Sequence, residues 1–479
     1  MLKILEYLMI KTLNEAKILS YSVNISYKTL ISEVISTWSK KHPKEIEESL
    51  TVEELEKRSK DTLRAVKEGY SSILEMPVIH IQAIMPRLLT LILVSFSTGT
   101  NFLQQSLRYT IPLIKEKEEK ATIIFIPETL KNKENKIVNH VEKGLKIYYK
   151  LLDSIKVPKT RKPEEDARYH LPLCLGTFIS ANINLSNLVH MLSLIKQNEK
   201  TPSLWKNFVL SILNNLDEEF KKLAEETSKE IKLGKFFPTA YPLVTPNIVK
   251  SIEKEFEINE RNEVKLLSYD LSILKYFSKE EIKRIIIEGI KEGSFPDFSN
   301  IFFEFAIKES GVSRHQIIRH RTVFQQSLSI YDAGERKEII IPQSIKMLSK
   351  EEIKEYKEYI NETFNLYEEL KKESEEDAII ILPSNIAFIT LLRLDGYNIF
   401  NFRGFLGNRC CELAQTETQI IASLINNKIN QVLENEGYKE LTHITHANCF
   451  KLRRCPELLE RAINCSIYQS KSFEKELFA

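Results

Sequence analysis

The sequence has little of several things, and each shortage closes off a class of function. None of its 479 residues fall in an apolar run of the ~18 needed to span a bilayer. The best candidate, LLTLILVSF at residues 88–96, is only half that length. The opening MLKILEYLMIKTLNEAKILSYS mixes charge into its apolar positions too early for a secretory signal, so the expected location is the cytoplasm, with no membrane partner. Net charge is also nearly absent: 68 Lys and Arg against 66 Asp and Glu leave +2, which gives no support for a nucleic-acid partner. Tight Cys-x-x-Cys pairs are missing. The six cysteines therefore read as reduced thiols, and the C-terminal His443, His446, Cys449, Cys455 and Cys465 fall outside the paired spacing of structural zinc, so no metal is expected. No base stands beside Ser106 or Ser327, and neither reads as a nucleophile.

What is present begins with length. A chain of this size exceeds one hydrophobic core, and its 43% apolar and 28% charged residues are ordinary for a globular protein, so two domains are expected. Self-similarity strengthens that expectation. FLQQSLRY at 102–109 answers VFQQSLSIY at 323–331, IIFIPETL at 123–130 answers IIIPQSI at 339–345, and EEDARYHLP at 164–172 answers EEDAIIILP at 375–383. Matches that keep the same order point to a tandem duplication, with its boundary in the charged stretch between 218 and 263. We expect one domain over 1–235, a charged helical connection over 236–262 and a second domain over 263–479. Each copy mixes long helical periodicity, as in EEIKEYKEYINETFNLYEELKKE from Glu351, with short β-rich runs such as IIFIP, which makes the fold class α+β.

The second copy carries IIRHRTVFQQSLSIY, which sets Arg319, His320 and Arg321 side by side. Such a cluster repels itself unless an anion or an electron-rich ring sits among its members. Downstream follow NFR at 401–403 and RCCELAQTE at 409–417. In combination these residues resemble the flavin-dependent thymidylate synthases, the ThyX family. The second half matches through Gln316, Arg319, His320, Arg321, Asn401, Arg403, Arg409, Ala414, Gln415 and Glu417. The first half matches a different part, Gln104, Gln105, Ser106, Arg108, Tyr109 and Arg168 of ARYHLP.

The resemblance implies two tandem ThyX-like α/β domains forming a pseudo-dimer, FAD as cofactor, NADPH and methylenetetrahydrofolate as co-substrates, and reductive methylation of dUMP to dTMP. It implies that Arg319, His320, Arg321, Asn401 and Arg403 hold the flavin, that Gln316, Arg319, Gln104, Gln105, Ser106, Arg108, Arg168 and Arg409 hold the nucleotide, and that Arg409 polarises the uracil ring as the catalytic residue. The departures from the pattern are complementary. The first half has SFST where Arg-His-Arg is expected, and the second has Ile379 in place of Arg168, with Ser329 aligned to Arg108. One composite site per chain is the expectation, and two chains would form a pseudo-tetramer. The alternative is a noncatalytic homologue that binds nucleotide or flavin, or partners an intact synthase. For the residues singly, plainer readings stand beside these: a surface arginine cluster at 319–321, and Arg168 paired with Glu165 or Asp166.

Overall fold

The computed structural model describes residues 9–96, 99–107, 113–116, 119–198, 200–230 and 241–471. Among them the β-rich runs form three sheets. The first has strands in the order β2 (Lys17–Val23), β3 (Val78–Pro86), β7 (Gly176–Asn184), β4 (Thr100–Gln104), all antiparallel. The second repeats that order with β8 (Glu263–Asp270), β9 (Phe302–Ser310), β11 (Ala387–Asp395) and β10 (Phe324–Ser327). A small third sheet, β1 (Met9–Leu13), β6 (Glu119–Phe125) and β5 (Leu113–Glu116), belongs to the first half alone. The α+β class is thus observed, one four-stranded antiparallel sheet per half.

Strand register corrects the repeat alignment. Gln104 pairs with Ile179 on β7, and Ser327 pairs with Thr390 at the matching position of β11. The two QQS triplets are therefore offset by two residues. Gln105 and Leu328 occupy equivalent places, each donating its N–H to the next position of that strand, Phe178 or Ile389. Ser106 corresponds to Ser329, so Ser329 does not stand in for Arg108. It caps the helix Ile330–Arg336, accepting a hydrogen bond from Asp332 N at 3.1 Å.

The halves meet about a local twofold. Leu173 N donates to Leu382 O at 3.0 Å and Ser384 N donates to Leu171 O at 2.9 Å, a reciprocal pair between the two Leu-Pro elements. Alongside, the helix Glu134–Ser154 runs antiparallel to Lys350–Lys371, and all the ion pairs between them have one polarity: Lys133 and Lys136 to Glu369 (2.9 and 2.7 Å), Lys143 to Glu362 (2.7 Å), Lys150 to Glu355. Beneath the charges His140 stacks on Tyr359 with ring centroids 4.4 Å apart. The main apolar core runs through both halves, joining Ile123, Leu145 and Leu175 to Tyr356, Phe364 and Leu382. A second core, around Phe298, Phe305 and Ile425, lies within the second half.

The long helix Lys350–Lys371 forms where its sequence says it should. Ser349 and Glu352 make a reciprocal capping box, and residues at three- and four-residue spacing, Tyr356, Tyr359, Ile360, Phe364 and Tyr367, are buried. Replacing Ser349 by Ala should cost about 1 kcal/mol of stability, read as a lowered denaturation midpoint.

The described part of the charged connection, from 241 onward, is fastened down. Ile330 N donates to Pro242 O at 2.7 Å, and Lys308, fully buried on β9, donates to Glu257 O, Asn259 Oδ1, Glu263 and Glu338, all within 2.9 Å. Among the described residues no helix is long and apolar enough to cross a membrane.

Candidate anion site between the two halves

The helix Gly311–Ile317 is capped by Ser310, whose Oγ accepts from Ser313 N at 3.1 Å, and it delivers His315 and then Arg319 to the seam. Thr322 Oγ1 donates to Asn398 Oδ1 at 3.0 Å, and Asn398 Nδ2 donates back to Thr322 O, which fixes the turn that follows. From the first half, β4 brings Asn101, Phe102 and Gln104. Arg319 Nη2 donates to Gln104 Oε1 at 2.6 Å and stands 2.8 Å from His315 Nε2. Arg321 Nη1 donates to Asn101 Oδ1 at 2.6 Å, and both guanidiniums lie over the Phe102 ring, 5.4 and 5.7 Å from its centroid. Arg409 Nε donates to His320 Nε2 at 2.6 Å, so the imidazole is an acceptor there and carries its proton on Nδ1.

Two more arginines complete the cluster from the first half. Arg87, half-buried, is pushed down to about 9 by burial and by the charges of Arg168 and Arg319. Arg319 is pushed down to about 10 by burial, Arg409 and Arg168. For Arg87, Arg319, His315 and His320, every neighbouring charge acting on them is positive. A guanidinium does not surrender its proton near neutral pH, so this mutual repulsion is a standing demand for an anion. Arg319 Nε is buried with no hydrogen-bond partner, a donor available to one.

Arg168 is held from behind. Its Nε donates to Glu165 O at 3.2 Å, and Asp166 contributes an opposite charge; but Asp166 itself is pushed up to about 6 by burial, and its Oδ2 accepts from Ser344 at 2.6 Å. The next residue, Tyr169, donates to Glu417 Oε2 at 2.6 Å and accepts from Gln415 Nε2 at 2.7 Å. Glu417 also accepts from Ser310 N at 2.7 Å, from Ser310 Oγ, and from Asn262 Nδ2 at 2.7 Å. The Ala-Gln-x-Glu element is therefore a buried clasp. It ties the backbone carrying Arg168 to the cap of the helix carrying His315.

Other anticipated residues sit differently. Gln316 contributes its backbone carbonyl, 3.5 Å from Arg409 Nη2. Gln105 has a buried Oε1 with no partner, beside half-buried Ser106. Asn401 Oδ1 accepts from Phe295 N at 2.8 Å, and Arg403 is exposed. Arg108 and Tyr109 lie outside the described residues. Asn101, Phe102, Arg87 and His315 were not anticipated as site residues; the signal for His315 was its place four residues before Arg319, on one helical face. The equivalent corner of the first half is filled: Ser95 and Phe96 are buried, with Phe96 stacked on Trp205 at 6.1 Å. The place of Arg168 in the second half is taken by fully buried Ile379.

A family model described as thymidylate synthase complementing protein matches residues 8–203 and 255–434, most of the chain and both halves. The chain belongs to this family. Its curated relatives include the flavin-dependent thymidylate synthases of Thermococcus onnurineus (31% identical over 163 residues, 32% of this chain and 64% of the relative) and Saccharolobus solfataricus (29% over 180 residues, 36% and 65%). The chain thus aligns with under two thirds of the length of these relatives. Among solved structures, a UMP/dUMP methylase PolB from Streptomyces cacaoi bound with 5-Br dUMP matches at 13% identity and a TM-score of 0.30, covering 37% of this chain and 93% of that one. That likeness is too slight to carry an argument. In this family member the Ala-Gln-x-Glu element acts as the clasp described above, whatever else it touches.

Burial makes the site sensitive to acid. His315 and His320 are held well below the usual imidazole range by burial and by arginines, and His140 and His170, at the seam, are each pushed down to about 4 by burial. Unfolded, all four take up protons near pH 6.5; folded, they stay neutral. Their contribution to stability is therefore complete above pH 6.5 and is lost as pH falls toward 4. The thermal midpoint should drop steeply between pH 6.5 and 4.5, and His140→Asn should flatten that drop.

Proposed function

We propose that the chain is a flavin-dependent thymidylate synthase, converting dUMP to dTMP with methylenetetrahydrofolate and NADPH at one composite site per chain. The observation that carries this reading is the arginine cluster drawn from both halves. It brings Arg87 and Arg168 to Arg319 and Arg409, where a nucleotide phosphate supplies the missing negative charge. On this reading Gln104, Gln105, Ser106 and Arg108 line the nucleotide from the first half, with Gln316 from the second. Arg409, oriented by His320, donates to the uracil ring and favours its ionised form. The residues also fit FAD. Its phosphates match Arg321 and exposed Arg403, and Asn401 fixes the 294–295 turn beside them. Bound there, the flavin supplies the electron transfer that the side chains cannot. The proposed organisation is two domains, 1–235 and 263–479, joined by 236–262, in a homodimer that acts as a pseudo-tetramer in the cytoplasm.

The Asn401 amide, already engaged with Phe295 and Ser294, favours a second reading, a noncatalytic homologue that binds nucleotide with a weak grip on flavin. The test is turnover. Protein loaded with FAD should be yellow and should form dTMP when given dUMP, NADPH and methylenetetrahydrofolate. Colourless protein that still binds dUMP selects the second reading, and protein that binds neither removes both.

A further inference from the structure

The family match ends at residue 434, within the helix Thr416–Asn435, and the chain continues through a turn at Lys439–Ile444 and a short helix at Asn448–Leu452. Leu441, Ile444 and Ala447 seat this segment, buried in the second core with Phe298, Phe305 and Ile425. The helix they position, Asn448–Leu452, lies against Phe405–Arg409, the helix that carries Arg409.

Asn448 and Lys451, buried and on one face of that short helix, reach into the second half. Asn448 closes on Gly407. A methyl group at Gly407 would run into Asn448 Oδ1, so the two helices touch where only glycine fits. Lys451 extends to the C-terminal end of the helix Gly396–Phe400, where carbonyls lack partners within the helix and a cation is favoured. Its ammonium donates to Ile399 O at 2.7 Å and to Asn401 O at 3.4 Å. Both contacts bear on one stretch of chain. Asn401 O also accepts from Gly404 N at 3.0 Å, Arg403 lies between them, and Gly404 begins the helix from which Arg409 Nε meets His320.

We propose that Lys451 is a positioning residue for the flavin: it fixes the 399–404 turn, so that a segment outside the matched region of the family sets the pose of Asn401, Arg403 and Arg409. This rests on the reading above that Asn401 and Arg403 hold FAD. Burying an ammonium is costly, and an apolar side chain would seat the segment at lower cost. What an apolar side chain cannot do is hold two carbonyls in place. Lys451 thus acts by geometry alone, supporting residues that touch the ligand without touching it.

The test is Lys451→Met in the full-length chain, which keeps the length of the side chain and removes its donors. We expect its affinity for FAD to fall roughly 10-fold. Its thermal midpoint should match or exceed that of the wild type, because a buried charge is gone. Ile444→Val is the converse control: it loosens the seat of the segment and leaves the ammonium, so the midpoint should fall and FAD affinity hold. Hydrogen exchange of the ligand-free protein is the second readout, expected to speed up roughly 10-fold over residues 395–409 in Lys451→Met and to stay unchanged in β3 and β7. Wild-type FAD affinity in Lys451→Met, unchanged exchange over 395–409, or a fall in midpoint that tracks the loss of affinity would each overturn the proposal. Wild-type protein that takes up no FAD would instead remove the synthase reading, and exchange alone would then decide whether Lys451 holds the turn.

Discussion

Arg168→Ala and Arg319→Ala should each weaken dUMP binding by roughly 10- to 100-fold, although the two residues belong to different halves. Each substitution removes a charge-assisted contact to phosphate, a loss of about 1.5–3 kcal/mol. Both arginines are deeply set and act on one another electrostatically, so they address the same anion. The double variant should lose less than the sum of the two, because the cluster's internal repulsion falls when either member goes. Isothermal titration gives both quantities that matter: one site per chain, and the affinity. Ser329→Ala is the control, since that serine only caps a helix. Wild-type affinity in Arg168→Ala would end the composite-site reading and leave the phosphate to the second half alone.

The largest loss of stability is expected from Glu417→Ala. This buried carboxylate accepts from Tyr169, Ser310 and Asn262, and its removal strands their donors in the interior. An unsatisfied buried donor costs about 1–3 kcal/mol, so stranding several should cost at least ~3 kcal/mol even after relaxation. Tyr169→Phe removes one partner and should cost about 1–2 kcal/mol. Because the clasp positions both Arg168 and the helix bearing His315, Tyr169→Phe should also weaken dUMP binding under conditions where the protein remains fully folded. A destabilised Tyr169→Phe protein with unchanged affinity would make the clasp structural only.

Much of the site was legible because electrostatics is legible. Two arginines flanking a histidine demand explanation wherever they fall, and the complementary losses in the two halves pointed to the seam where Arg319 meets Gln104. The QQS register was misread for a physical reason. A slip of two residues along a strand leaves every side chain on its original face, so the apolar pattern cannot detect it, and three identical letters outweighed the missing signal. The connection looked like a charged spacer because its partner, Lys308, is buried on a strand remote in sequence. The resemblance assigns Asn401 to the flavin, and nothing in the sequence signalled that its Oδ1 also accepts from Phe295 N.

The one-way charge pattern across the seam also decides which surfaces can mate. Each exposed Lys–Glu pair adds little attraction. Like meeting like is another matter: two copies of Glu134–Ser154 laid antiparallel would set lysine against lysine, and two copies of Lys350–Lys371 glutamate against glutamate. The charge pattern therefore favours pairing of the two unlike helices over pairing of either with its own copy.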